Sequence, residues 1–171
     1  MIENSITLRE LRSDDRAEIA RILESISAFR PEEVAIALEL VDETLNPTPS
    51  TDYEWIIADH GGRVVGFACF GPVPLTEGTF DLYWIAVIPE AARLGVGTRL
   101  DDAATTQVQA RPGVRWLLAE TSSTGDYAPA RAFYLQQGYQ MVGRLLDYYR
   151  PGDDRLTFGK RLDEGSPHVS D

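Results

Sequence analysis

The sequence has few residues that build disulfide frameworks or metal sites, and it has no long apolar run. Cys69 is the only cysteine, so no internal disulfide can form. The two histidines, His60 and His168, have no cysteine or histidine at ligand spacing, so no metal is expected. No stretch reaches the ~18 apolar residues of a membrane span, and no basic-then-apolar leader opens the chain. These absences predict a cytoplasmic protein with no membrane partner.

Positive charge is also scarce. Sixteen Lys and Arg residues against 27 Asp and Glu residues give a formal net charge of −11. A protein that binds nucleic acid usually presents a basic stripe to the phosphates, so no nucleic-acid partner is expected. The same charge weakly favours cationic small molecules such as amines.

The remaining composition is that of an ordinary globular domain. With 171 residues and 43 % hydrophobic residues, the chain can bury a core without disulfides. We predict one domain over residues 1–162. Gly, Ser, Pro and acidic residues cluster in 163–171, which we predict to be a disordered tail.

Hydrophobic periodicity predicts seven strands and four helices. Strands are predicted at 5–10, 53–59, 63–70, 79–88, 114–121, 139–148 and 155–162, with Cys69 as a buried strand thiol. Helices are predicted after an N-cap at Ser13, from Pro31, after the glycines near 96, and over 129–137. The buried side of the second helix is predicted to be Val34, Leu38, Val41 and Leu45.

The order of these elements is β-α-α-β-β-β-α-β-α-β-β. Interleaved helices with a central βαβ unit predict an α/β fold (α+β mixed sheet), with helices on both faces of the sheet. The hairpin signal His60-Gly61-Gly62 predicts that the second and third strands pair antiparallel.

Two glycines precede the third helix, in the run Gly95-Val96-Gly97. Closely spaced glycines let a ligand approach the backbone, and a helix start offers N–H groups and a positive dipole to an anion. The third glycine of a dinucleotide fingerprint and the Gly-Lys-Ser/Thr of a P-loop are both missing. A phosphate site and a simple tight turn remain alternatives on these residues alone.

The last predicted helix carries adjacent aromatic residues, Phe133 and Tyr134, and ends at Gly138 before Tyr139. Taken alone, this pattern favours core packing over a functional role.

Together these segments resemble the GNAT superfamily of acyl-CoA-dependent N-acetyltransferases. The family pattern Gln/Arg-x-x-Gly-x-Gly/Ala overlays Ala92 to Gly97, and Phe-Tyr-x-x-x-Gly-Phe/Tyr overlays Phe133 to Tyr139 without a gap. The run from Tyr83 to Pro89 is similar to the family's fourth strand. The resemblance covers residues 5 to 162 and implies a GNAT-like domain with a central mixed, largely antiparallel sheet. Two positions depart from the pattern: Ala92 replaces Gln or Arg, and Tyr127 replaces Asn.

The resemblance implies acetyl-CoA as co-substrate, with amides of the two-glycine loop on the pyrophosphate and pantetheine along the fourth strand. A backbone N–H near Val87 would face the thioester oxygen. The cofactor-binding residues implied are Ile85, Ala86, Val87, Arg93, Leu94, Gly95, Val96, Gly97, Thr98, Tyr127 and Tyr134.

Tyr134 is the candidate general acid, since a phenol of pKa about 10 is protonated at pH 7 and suits a leaving thiolate. Alternatively its hydroxyl only hydrogen-bonds the cofactor. Asp81 and Tyr83 are candidate substrate-binding residues. Tyr83 stands where some family members have a Glu base. Glu120 is the candidate base or ammonium anchor, and the alternative is a carboxylate that orders the turn following it.

The tyrosine-rich stretch 147–154 is predicted to join the last two strands, where it borders an acceptor pocket or only packs a hairpin. The resemblance implies an N-acetyltransferase acting on a primary amine of a small molecule, peptide or protein by direct attack in a ternary complex. A non-catalytic acyl-CoA sensor and a transferase of longer acyl chains remain alternatives. The oligomeric state is open, although late strands often mediate homodimers in that family.

Overall fold

The computed structural model describes residues 5–47 and 51–163 of the chain. The strands are β1 (Ile6–Arg9), β2 (Glu54–His60), β3 (Arg63–Pro72), β4 (Thr79–Val87), β5 (Trp116–Ser122), β6 (Gln140–Arg150) and β7 (Asp153–Arg161). The helices are α1 (Asp15–Ser25), α2 (Pro31–Leu45), α3 (Val96–Gln109) and α4 (Ala128–Gln136). The element order predicted from the sequence is confirmed. The predicted tail, apart from Asp163, lies outside the described residues.

The seven strands form one mixed sheet in the order β1-β2-β3-β4-β5-β7-β6. Antiparallel pairing joins β1 to β2, β2 to β3, β5 to β7 and β6 to β7. The β4–β5 pair is parallel, as the βαβ unit through α3 requires. The α/β fold class with a mixed sheet flanked by helices is therefore confirmed.

The chain divides into two compact units. The first unit comprises Met1–Gly71 and Leu82–Ala104, and the second comprises Pro72–Asp81 and Thr105–Asp171. β4 and α3 contribute residues to both.

In the first unit, helices α2 and α3 cover opposite faces of the strands. Gly66 faces α3, because a Cβ at this position would lie 3.1 Å from a Val96 methyl and 3.2 Å from one of Leu100. The next residue, Phe67, points to the other face, where its ring packs against Trp55. Trp55 in turn donates its indole N–H to Thr44 of α2 at 2.9 Å. A missing side chain at Gly66 thus sets how closely α3 approaches the sheet.

The start of α1 corrects one prediction. Ser13 is not the N-cap, because the helix begins at Asp15 after a turn through Ser13 and Asp14. The Asp15 carboxylate accepts the Arg12 backbone N–H at 2.7 Å and pairs with Arg9 at 2.7 Å. The contacts of Asp15 with Arg9 and Arg12 accompany this boundary, and the capping preference of Ser13 does not set it.

The buried side of α2 is narrower than predicted. Val41 is buried, whereas Val34, Leu38 and Leu45 are only half-buried, and Ala37 lies at the centre of the contact instead. The small Ala37 side chain brings the helix close, so its larger neighbours lie at the margin. Cys69 in β3 is fully buried as predicted, and burial raises the pKa of its thiol.

In the second unit, the segment 147–154 differs from the predicted loop. β6 continues to Arg150, and only Pro151 and Gly152 form the turn to β7. The strand instead contains a bulge between Leu145 and Arg150, where Asp147 has a positive φ of 51°. Tyrosines that resemble loop residues in sequence therefore lie on a strand.

No helix within residues 5–47 and 51–163 is long and apolar enough to cross a bilayer.

Candidate functional site

The predicted phosphate loop forms a tight turn that ends at the start of α3. The Leu94 N–H donates to Ala91 at 3.0 Å, and Gly95 has a φ of +74°, which favours glycine. A Cβ at Gly95 would meet no atom within 4 Å, so the loop is open at this point. At the start of the helix the Arg99 N–H donates to the Gly95 carbonyl at 3.1 Å. The first turn of an α-helix generally offers backbone N–H groups to a ligand.

Charge around this turn also suits an anion. Arg93 lies in the turn and Arg99 in the first turn of α3, and both are exposed near the positive end of the helix in a chain of net charge −11. Arg93 was predicted from the sequence and Arg99 was not. Leu94 and Thr98 are exposed, Gly97 is half-buried, and Val96 is buried in the core. The turn therefore fits a pyrophosphate through its backbone and its two arginines.

The predicted pantetheine and acceptor residues of β4 alternate in burial. Ala86 is buried, whereas Ile85 and Val87 are half-buried on the opposite side of the strand. Tyr83, on the same side as Ile85, packs its ring edge-on against Tyr53 at 5.3 Å. The side of β4 predicted to meet the ligand is thus the less covered one in the first unit.

Tyr134 of α4 packs within the second unit. Its ring lies 5.4 Å from that of Tyr139 and 5.6 Å from that of Phe158, and 7 % of the residue is exposed. These contacts fix the ring on the face of the strands that α4 covers. Tyr127, in the short 3-10 turn before α4, is half-buried.

Asp81 and Glu120 lie together on the face of the second unit opposite Tyr134. In the sheet register Asp81 is opposite Leu118, and Glu120 follows two residues later on the same side of β5. Ala119 lies between Leu118 and Glu120 along β5 and points to the other side of the strand. It is opposite Phe158, which contacts Tyr134. Tyr134 and the two carboxylates therefore lie on opposite sides of the same strands.

The two carboxylates differ in environment. Asp81 makes no hydrogen bond or ion pair within the described part of the chain, and burial followed by the charge of Glu120 raises its pKa to about 6. Glu120 is more exposed, and its Oε1 lies 3.5 Å from Nε of Arg155. Because one carboxylate is unpartnered and the other is loosely paired, both are available to a cation.

The hydrogen bonds that hold the turn after β5 come from residues other than Glu120. Ser122 donates to Asp153 at 2.5 Å, and the Ser123 hydroxyl accepts the Asp154 N–H at 2.8 Å. Arg131 of α4 adds hydrogen bonds to the Ser122 and Thr124 carbonyls at 2.8 and 2.7 Å. Other residues therefore hold this turn, and Glu120 is left for the open face.

Sequence reasoning missed Arg155 and did not single out Tyr149. Arg155 is opposite Ser122 in the β5–β7 register, and its guanidinium lies 4.5 Å from the centroid of the Tyr148 ring. Burial and then the charge of Glu120 raise the pKa of the Tyr149 phenol. We call Asp81, Glu120, Tyr148, Tyr149 and Arg155 the carboxylate–arginine cluster. Alternation along β7 would have given the side on which Arg155 lies, but not its register against Glu120.

The unpartnered charge of Asp81 predicts a pH-dependent stability difference. Since its folded-state pKa of about 6 lies above the ordinary 3.8, ionised Asp81 disfavours the folded state. Asp81→Asn is expected to raise the free energy of unfolding by about 1 kcal/mol at pH 8, discounted for partial exposure. That corresponds to a Tm about 2 to 4 °C higher in a chain of this size. The gain should shrink as the pH falls through 6 and vanish below 4. Thermal scans across this range check it, and a lower Tm for the variant at pH 8 contradicts it.

No cluster of three or more His, Cys, Asp or Glu side chains among the described residues could hold a metal ion.

Comparison with known proteins identifies related families. The family model described as "Acetyltransferase (GNAT) family" matches residues 19–139. A protein from Desulfovibrio desulfuricans that is assigned to the GNAT family is 38 % identical, with a TM-score of 0.87, over 92 % of this chain and 99 % of that one. A search of curated proteins finds no match.

More distant solved structures share the fold. The ribosomal-protein-S18-alanine N-acetyltransferase of Escherichia coli is 21 % identical with a TM-score of 0.73, over 98 % of this chain and 100 % of that one. The yncA protein of Salmonella typhimurium, solved with acetyl-CoA, is 19 % identical with a TM-score of 0.71, over the same shares.

Proposed function

Because this chain belongs to the GNAT acetyltransferase family, we propose that it is an acetyl-CoA-dependent N-acetyltransferase. The acceptor is a primary amine of a small molecule, peptide or protein, which attacks acetyl-CoA directly in a ternary complex. The observation that carries the proposal is the pair of available carboxylates, Asp81 and Glu120. An unpartnered, half-buried carboxylate beside a second one attracts an ammonium group, and it can accept a proton from the nitrogen as the N–C bond forms.

Donor binding is assigned to the turn before α3 and to β4. The exposed Arg93, the glycine backbone at Gly95 and the first amides of α3 suit the pyrophosphate of acetyl-CoA. Most such contacts come from backbone amides, so Ala92 in place of Gln or Arg is tolerated. The resemblance further assigns a backbone N–H near Val87 to the thioester oxygen, where such a donor contributes roughly 3 kcal/mol to transition-state stabilisation.

Asp81 is the better candidate for the base, and Glu120 for the ammonium anchor. The sequence instead predicted Glu120 as base or anchor and Asp81 as a substrate-binding residue. A general base works best when its pKa lies near the working pH, and the pKa of about 6 at Asp81 meets this condition. Glu120, loosely paired with Arg155 and more exposed, suits the first encounter with a cation. The attacking nitrogen becomes far more acidic as it bonds to the carbonyl carbon, so a carboxylate suffices.

Tyr134 is assigned as the general acid. The nitrogen lone pair forms the N–C bond, Asp81 accepts a proton from the nitrogen, the C–S bond breaks, and the phenol proton passes to the leaving thiolate. The phenolate left on Tyr134 then regains a proton from solvent.

The proposal is tested by incubating the protein with acetyl-CoA and a broad panel of primary amines. Release of CoA thiol should be amine-dependent, and mass spectrometry should show one acetyl group, 42 Da, on the acceptor. The same panel with propionyl-, butyryl- and octanoyl-CoA tests donor length, and turnover should fall as the chain lengthens. Bound acetyl-CoA without any acetylated amine would support a sensor and contradict the proposal.

A further inference from the structure

Arg155 is the cationic member of the carboxylate–arginine cluster, and the proposed reaction does not use its guanidinium. A guanidinium carries five N–H donors. Within the described residues that of Arg155 donates no hydrogen bond, and its Nε is buried without a hydrogen-bond partner. Arg155 approaches Glu120 at 3.5 Å, and its guanidinium stacks 4.5 Å from the centroid of the Tyr148 ring. These contacts hold the guanidinium in place but leave its N–H donors without hydrogen-bond acceptors among the described residues.

Two other arginines of the second unit, Arg131 and Arg144, find hydrogen-bond acceptors within the protein. Arg131 donates to two backbone carbonyls at 2.8 and 2.7 Å. Arg144 donates its Nε–H to the Asp154 carboxylate at 2.7 Å. The unused donors of Arg155 therefore do not reflect a general lack of acceptors on these strands. A half-buried guanidinium normally finds hydrogen-bond acceptors, and a bound ligand can supply them.

We propose that the acceptor is an amino-acid-like zwitterion whose carboxylate binds Arg155 while its ammonium group binds Asp81 and Glu120. This rests on the proposed function, because it names the acceptor class for the same site. The planar guanidinium matches a carboxylate through two parallel hydrogen bonds. The ring of Tyr148 holds the plane of the guanidinium from one side.

The charge balance of the cluster favours a carboxylate over a phosphate. Asp81 and Glu120 supply two negative charges against one positive charge at Arg155, for a balance of minus one when both carboxylates are ionised. A zwitterion adds one charge of each sign and places each beside its opposite. A dianionic phosphate would bring a second negative charge toward both carboxylates, which like-charge repulsion opposes.

Tyr149 supports the same arrangement. Burial and the charge of Glu120 raise the pKa of its phenol while Arg155 lowers it, so Tyr149 lies within the electrostatic reach of both groups. An ordinary phenol is already protonated at neutral pH. A protonated hydroxyl can donate to the acceptor carboxylate. The cluster then presents cationic and neutral donors to one end of the zwitterion and carboxylates to the other.

The experiment compares matched acceptors that differ only in the carboxyl group. Each amino acid of a panel is assayed beside its decarboxylated amine and its primary amide, for example phenylalanine, 2-phenylethylamine and phenylalaninamide. For the best-accepted amino acid, kcat/KM of the wild-type protein is expected to exceed that of either partner by at least about tenfold, mainly through KM. An aminoalkyl phosphate of similar length is the phosphate arm and should be the poorer acceptor.

Arg155→Met should reduce the ratio of amino acid to amine to near one, and Arg155→Lys should give an intermediate ratio because lysine keeps the charge but loses the planar fork. Arg144→Met, which removes a positive charge from the same pair of strands, should keep the wild-type ratio. The ratio is the readout, since loss of packing at Arg155 would lower both activities together. If the methionine variant does not fold, the wild-type ratio and the lysine variant decide.

A wild-type preference for the amine, the amide or the phosphate overturns this inference and leaves the proposed function standing. An Arg155→Met variant that keeps the wild-type ratio also overturns it. Absence of turnover on every amine overturns the proposed function itself.

Discussion

Tyr134→Phe is expected to lower kcat by about 10² to 10⁴-fold, with little change in KM for acetyl-CoA. The substitution removes only the hydroxyl. The ring keeps its packing against Tyr139 at 5.4 Å and Phe158 at 5.6 Å, so the helix should stay in place. What is lost is the proton for the leaving thiolate, so the departing sulfur must carry its developing negative charge without a proton donor. Steady-state kinetics with a single good amine measure the effect.

Tyr139→Phe is the matched control, because it removes a phenol from the same buried aromatic group. Its kcat should remain within about threefold of wild type. A Tyr134→Phe enzyme that also stays within that range would show that the hydroxyl is not the general acid. A variant with raised KM for acetyl-CoA and unchanged kcat would instead support the alternative that the hydroxyl only binds the cofactor.

Asp81→Asn is expected to lower kcat/KM for the amine by at least about 10²-fold, because the amide cannot accept a proton. In the wild-type protein kcat/KM should fall as the pH drops through about 6, since Asp81 must be ionised to act and its pKa lies there. Above that pH the carboxylate is available and this limb should level off. The variant should lose the limb. The pH profile of both proteins, measured from pH 5 to 9, checks the result.

Two comparisons sharpen this test. Asp14→Asn makes the same change at an exposed position that forms no side-chain cap bond, and it should leave the profile unaltered. Glu120→Gln should act mainly on KM for the amine, as expected for an anchor. If Glu120→Gln removes the pH limb and Asp81→Asn does not, the two assignments are reversed.

Sequence reasoning succeeded where local signals decide the structure. Pro31 marks the start of α2, and His60-Gly61-Gly62 joins β2 to β3, because proline and glycine restrict or permit backbone angles within a few residues. It failed where side-chain contacts between neighbouring elements decide. At the start of α1, Asp15 pairs with Arg9 of β1, and the capping preference of Ser13 does not indicate this pair.

The candidate site shows the same division. Motifs that are continuous in sequence, such as the turn before α3 and the α4 segment with Tyr134, could be located because their residues match the patterns of the family they resemble. The carboxylate–arginine cluster could not, since it depends on which residues of β4, β5 and β7 are opposite one another. A shift of one residue would move Arg155 to the other face of the sheet. The tyrosines of β6 were likewise assigned to a loop, because Pro151 and Gly152 follow them closely. The bulge in β6 has no signal of its own in the sequence.

Acetyl-CoA as acyl donor is the central claim, and a thermal unfolding scan with and without it tests that claim most directly. At about 100 times a micromolar Kd, one-site binding predicts about 2.7 kcal/mol of stabilisation. For a chain of this length, Tm should rise by about 5 to 11 °C. Gly95→Val places a side chain where φ is +74°, so its Tm should respond much less to acetyl-CoA. No shift in the wild-type protein would contradict the account, because the transferase and the acyl-CoA sensor both require this binding.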